Sequence, residues 1–176
     1  ATFCHNISHD LPVQVNNPDF ELSLVYIDDV VEEFIKIIQE VKDDKKKLSV
    51  QPEYKIKLGD LAEQIKIFRE SRNSLITEKV GSGLVSKLYS TYLSYLSPEK
   101  FAYSIPSYGD ERGMFAEMLK TKDSGQFSFF TAGPGVTRGG HYHHTKTEKF
   151  LVINGKALFK FRHIKTGESH ELVVDG

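Results

Sequence analysis

One cysteine, Cys4, stands in the whole 176-residue chain. An internal disulfide is therefore excluded, which fits a reducing compartment, and the cytoplasm is the expected location. No apolar run approaches the roughly 20 residues that a membrane-spanning helix needs, so no membrane partner is expected. The opening Ala1-Thr2-Phe3-Cys4-His5 lacks a basic stretch followed by an apolar one, so no signal peptide is expected there. An excess of one charge is missing too: 23 Lys and Arg stand against 24 Asp and Glu. A surface so balanced does not gather phosphate backbones, and nucleic acid is not an expected partner. Internal repeats and low-complexity segments are also absent.

What is present divides by hydrophobic period. Residues 1 to about 100 read as mainly helical. Asp28 and Asp29 precede Val30, Val31, Phe34, Ile35, Ile38 and Val41, apolar at helical spacing behind a good N-cap residue. The charged run from Lys42 to Lys47 ends that pattern and reads as a solvated loop. Tyr54 to Leu58 alternates like a short strand. Leu58, Leu61, Ala62, Ile65 and Phe68 mark a second helix, and Leu84, Leu88, Tyr92 and Tyr95 a third, after Gly81-Ser82-Gly83. The aromatic stripe of the third helix reads as core or subunit interface.

From about Phe101 the period changes to two. Phe115 to Leu119, Gln126 to Thr131, Lys149 to Ile153, Ala157 to Ile164 and Ser169 to Val174 read as strands. Gly109-Asp110, Gly133-Pro134-Gly135, Asn154-Gly155 and Thr166-Gly167 supply the turns, and Asn-Gly is a strong hairpin signal. Many short strands joined by turns predict a β-sandwich or barrel. The boundary between the two regions is expected near residue 100, giving domains of residues 1–100 and 101–176.

Four of the seven histidines lie between 141 and 163. Side chains two apart on an extended strand share a face. His141 and His143 therefore project together, with Tyr142 and His144 opposite, and a short turn brings Glu148 back beside the pair. Two imidazoles and a carboxylate suit a borderline divalent ion such as Zn, Fe, Mn or Ni.

This segment resembles the first motif of the cupin family: a Gly, five residues, His-x-His, three or four residues, Glu, six residues and a Gly. Here the positions are Gly135, His141, His143, Glu148 and Gly155, five typed positions over 21 residues. The resemblance implies that His141, His143 and Glu148 bind a metal, with Zn expected. The second cupin motif, Pro-x-Gly-x-x-His-x-x-x-Asn, is absent. The last barrel strands and the final histidine ligand are therefore expected to be missing, with weakened metal affinity.

Asp110-Glu111-Arg112-Gly113-Met114-Phe115-Ala116-Glu117 is similar to the opening signature of the sugar-nucleotide epimerases of deoxythymidine-diphosphate-rhamnose synthesis. Arg138-Gly139-Gly140-His141-Tyr142 resembles their Arg-Gly-Leu-His-Tyr, and Lys149 falls at their strand lysine. The resemblance implies catalytic roles for His141, Lys149 and Arg138 and substrate contacts for Arg112 and Glu117. His143 and Glu148 depart from those epimerases by adding a metal site. That leaves two roles open for His141, ligand or general base.

Leu24-Val25-Tyr26-Ile27-Asp28-Asp29-Val30-Val31 looks like a segment of the substrate-binding half of extended short-chain dehydrogenases. Followed by an epimerase-like cupin, it is similar to the bifunctional reductase-epimerases of UDP-N-acetyl-L-fucosamine synthesis for capsule and O-antigen. The similarity includes Phe3 to Ile7, Leu88 to Leu93 and Lys146 to Val152. It implies an α+β chain, with a mainly helical dehydrogenase part followed by a truncated cupin or jelly-roll barrel. No Gly-rich nucleotide loop is present, and Tyr142 with Lys146 matches Tyr-x-x-x-Lys only by coincidence. The chain is expected to be an internal fragment, with NADPH bound only by the full-length protein. The implied activity is C3 epimerisation coupled there to C4 reduction of a UDP-linked 4-keto-6-deoxy-2-acetamido sugar, in a homodimer. The alternative from another class is a non-catalytic metal- or sugar-binding cupin module.

Overall fold

The computed structural model describes residues 1–39 and 49–176. Val41 and the charged run from Lys42 to Lys47 lie outside the described residues. The rest is α+β. In chain order it comprises α1 (Thr2–Ser8), β1 (Glu21–Leu24), α2 (Ile27–Gln39), β2 (Tyr54–Lys57), α3 (Leu58–Ser74) and α4 (Gly83–Ser94). Then follow a 3-10 turn (Pro98–Lys100) and the strands β3 (Ser107–Asp110), β4 (Gly113–Lys120), β5 (Gln126–Phe130), β6 (Lys156–Arg162) and β7 (Ser169–Asp175). All the sheets are antiparallel: β1 with β2, β3-β4-β5 in that order, and β6 with β7. The described residues form two compact units, Ala1–Thr137 and Arg138–Gly176.

The core of the first unit follows from helical spacing. Leu61, Ile65 and Phe68 recur on one face of α3 and are buried. They meet Cys4 and Ile7 of α1, and Tyr92 and Leu96 from α4 and its end. The aromatic stripe of α4 thus supplies core: Tyr92 is buried, and Phe68 packs edge-on against Tyr89 with ring centroids 5.1 Å apart. Each such burial stabilises by roughly 1.5–3 kcal/mol.

Helix α2 differs from its expected form in two ways. It starts at Ile27, so Asp28 and Asp29 occupy its first turn instead of capping it. Carboxylates there still meet the positive end of the helix dipole. Its apolar stripe, including Val31, Phe34 and Ile38, is exposed, because no other element among the described residues packs over it. Its start is anchored to α4 by Lys87, whose Nζ donates to both carboxylate oxygens of Asp29 at 2.8 and 3.0 Å and lies 4.4 Å from the Tyr26 ring centroid.

Strands β3 to β5 fold with the helical elements. The backbone N–H of Lys120 donates to Leu75 O and that of Thr77 donates to Lys120 O, both at 2.8 Å. This pair of bonds ties β4 to the segment leaving α3. Lys122 adds an ion pair to Glu78 at 2.7 Å, and the Arg72 guanidinium lies over the Tyr103 ring while donating to Lys100 O.

The second unit is built on the hairpin of β6 and β7, which turns through Thr166 and Gly167. Lys149 to Ile153 forms no strand, and Asn154-Gly155 accordingly joins no hairpin. Alternation alone does not make a strand. The ladder needs a partner, and none pairs with 149–153 among the described residues. The turn predicted at Gly109-Asp110 falls instead on Glu111 and Arg112, between the paired residues Asp110 and Gly113.

Candidate metal centre

The approach to the cluster depends on glycine. Gly139 (φ 106°) and Gly140 (φ 76°) take successive positive-φ conformations that side chains disfavour, and the segment from His141 to His143 that follows them lies outside any strand. Along it the expected alternation holds. The rings of His141 and His143 lie 4.9 Å apart edge to face, and those of Tyr142 and His144 pair separately at 5.0 Å. A bend at His144 and Thr145 then returns the chain.

Glu148 comes back on the His141 and His143 side. Its Oε1 lies 3.5 Å from His143 Nε2, and one ligand atom from each of His141, His143 and Glu148 lies within 4.8 Å of the others. Two ligands about 2.1 Å from one tetrahedral ion stand about 3.4 Å apart. The pair of His143 and Glu148 already has that separation. His141, exposed and within 4.8 Å of both, completes the group. Two nitrogens and an oxygen are a donor set for a divalent ion of the zinc class, so the residues fit the implied metal. Lys146 Nζ pairs with the same Oε1 at 3.0 Å. Its hydrogen bond holds the Glu148 carboxyl below the usual carboxylate range, and His143 and His141 act in the same direction. The carboxylate is thus ionised, as a ligand must be.

Of the other predicted site residues, two lie in each unit. Arg138 opens the second unit with its Nε shielded from solvent, and Lys149 is exposed one residue beyond Glu148. Arg112 and Glu117 belong to the first unit. Arg112 sits in the β3–β4 turn, where its Nε and Nη2 donate to Asp110 Oδ2 at 2.9 and 2.5 Å. The Asp110 hydrogen bond pushes the Arg112 pKa up further, so the guanidinium is a permanent cation. Glu117 on β4 pairs with Lys120 at 3.0 Å. Sequence reasoning passed over Lys146 as a partner of the site. Its signal was a cation two residues from a ligand carboxylate.

The fold is α+β, with His141, His143 and Glu148 grouped ahead of the antiparallel hairpin of β6 and β7. Residues 108–176, from within β3 to the last described residue, match the family model described as "Polysaccharide biosynthesis C-terminal domain". The whole chain is 60% identical over 176 residues to UDP-2-acetamido-2,6-beta-L-arabino-hexul-4-ose reductase of Pseudomonas aeruginosa, covering 47% of that protein. Its structure is similar to that of the capsular polysaccharide assembling protein CapF from Staphylococcus aureus, with a TM-score of 0.90 and 40% identity. That match covers 100% of this chain and 52% of CapF. CapF with the inhibitor 3-isopropenyl-tropolone matches equally, at TM-score 0.90 and 40% identity over 99% of this chain and 51% of that one. The chain spans about half the length of these relatives. The resemblance read from the sequence, to the enzymes of capsular sugar synthesis, holds over its whole length.

Proposed function

We propose that this chain is part of a sugar-nucleotide enzyme of capsular polysaccharide or O-antigen precursor synthesis. Its cupin region, residues 101–176, epimerises C3 of a UDP-linked 4-keto-6-deoxy-2-acetamido sugar. Residues 1–100 belong to the reductase part, which in the full-length protein reduces C4 with NADPH. The observation that carries this reading is the convergence of His141, His143 and Glu148. It is supported by the P. aeruginosa relative, whose name makes it a reductase of a UDP-linked keto sugar.

The chemistry follows from the substrate. A proton next to a ketone is acidic because the carbanion spreads onto oxygen as an enolate. Epimerisation removes that proton and returns one to the opposite face. A divalent metal, when bound, supplies Lewis acidity toward the enolate oxygen or braces the fold. Arg138 and Lys149 place the sugar or polarise its carbonyl as fixed cations. Arg112, permanently charged, pairs with the diphosphate through its two-pronged guanidinium, for which it exchanges its hold on Asp110. Glu117 is a further substrate contact. His141 is a ligand or the general base, and not both at once, because metal binding commits its basic nitrogen.

The test is exchange at C3 of the keto sugar in heavy water, followed by proton NMR with the metal-loaded full-length protein. Deuterium should enter at C3 before any hydride reaches C4. Substrate binding without exchange removes the epimerase and favours a binding module.

A further inference from the structure

The oxygen that faces His143 is also the one that Lys146 holds. Glu148 Oε1 lies 3.0 Å from Lys146 Nζ and 3.5 Å from His143 Nε2. A metal bound to that oxygen would sit about 2.1 Å from it. A divalent ion there and an ammonium 3.0 Å from the same atom repel each other across a few ångströms. That repulsion favours departure of the ammonium when the ion binds. Lys146 is about half exposed and has a four-carbon stem, so it can swing into water.

We propose that Lys146 competes with the metal for Glu148: it pairs with the carboxylate before the ion arrives and gives way when the ion binds. This rests on the metal reading of the triad. Lys146 is then an internal competitor that sets how tightly the centre takes its ion. Such a competitor discriminates by charge and bond strength. A weakly held cation does not displace the ammonium, whereas an ion that gains two imidazole nitrogens as well as the carboxylate does.

The experiment measures zinc affinity of the full chain by competition with a chromogenic chelator, at fixed pH and salt. Lys146→Met keeps the apolar stem and removes the charge, and it should bind zinc roughly threefold to tenfold more tightly than the parent. Lys146→Arg keeps a cation beside Glu148 and should stay within about twofold of the parent. Equal or weaker binding by Lys146→Met, with the parent still binding zinc, overturns the competitor role and leaves the metal reading standing. Absence of zinc binding by both the parent and Lys146→Met overturns the metal reading, and the competitor role falls with it.

Discussion

The Nε2 of His143 stands 3.5 Å from Oε1 of Glu148, although four residues separate them in sequence. That is the spacing two ligands of one tetrahedral ion adopt, reached here across a bend at His144 and Thr145. His143→Ala and Glu148→Gln should each lower zinc affinity by roughly 100-fold or more, since each removes one of three donors. His144→Ala should bind as the parent does, because its ring pairs with Tyr142 on the other side. Equal losses in His143→Ala and His144→Ala, measured by chelator competition, would remove the triad.

Gly113 has φ of 125°, and a Cβ there would overlap the carbonyl of Thr131. Thr131 also bonds its neighbour Met114 twice, N–H to Met114 O at 2.8 Å and Oγ1 accepting from Met114 N at 3.0 Å. The strands cannot separate there without breaking that clasp. Gly113→Ala should therefore destabilise the β3–β4 turn that carries Arg112, at a cost of roughly 2 kcal/mol or more. Urea unfolding measures it. A midpoint matching the parent's would show that the turn tolerates a side chain.

Phe68 is 1% exposed at the centre of the core of the first unit. Phe68→Ala removes a ring packed against Tyr89 and Tyr92 and leaves a cavity. The expected loss is about 3–5 kcal/mol, read from thermal or urea unfolding of the helical signal. A loss below about 1 kcal/mol would mean that the helices collapse to fill the space.

Asp10 receives Lys100 Nζ at 2.7 Å, and Arg69 lies 3.6 Å away. The Lys100 hydrogen bond holds its carboxyl below the usual aspartate range. A carboxylate whose folded pKa is depressed adds stability above its unfolded pKa and loses it as pH falls through the folded value. The window therefore lies below about pH 4. The effect is small because Asp10 is largely exposed. Asp10→Asn should melt slightly lower than the parent at pH 7, and the gap should close as the pH is lowered through that window. A gap that stays constant down to pH 2 would separate the difference from this ion pair.

The parts legible in the sequence are those whose cause is local. The apolar spacing of Leu61, Ile65 and Phe68 makes one face of α3 whatever it packs against. The alternation in β4, β5, β6 and β7 reads directly from their residues. Helix α1 went unread because seven residues show barely two turns of period, and its place comes from packing Cys4 and Ile7 into the core. Strand β1 has only four residues and exists through its pairing with β2, more than 30 residues on. Lys149 to Ile153 shows the converse, a strand pattern with no ladder to complete it.

By itself the sequence determined the helical and strand periods, the shared face of His141 and His143, and the kinship with capsular sugar enzymes. Those properties depend on neighbours a few residues apart or on residue identity. Only the tertiary structure decided that β4 bonds to the end of α3 through Lys120, that Arg112 is held by Asp110, and that one oxygen of Glu148 faces both His143 and Lys146. Hydrogen bonds and ion pairs of this kind depend on distances of about 3 Å between groups, which chain order does not encode until the backbone has folded.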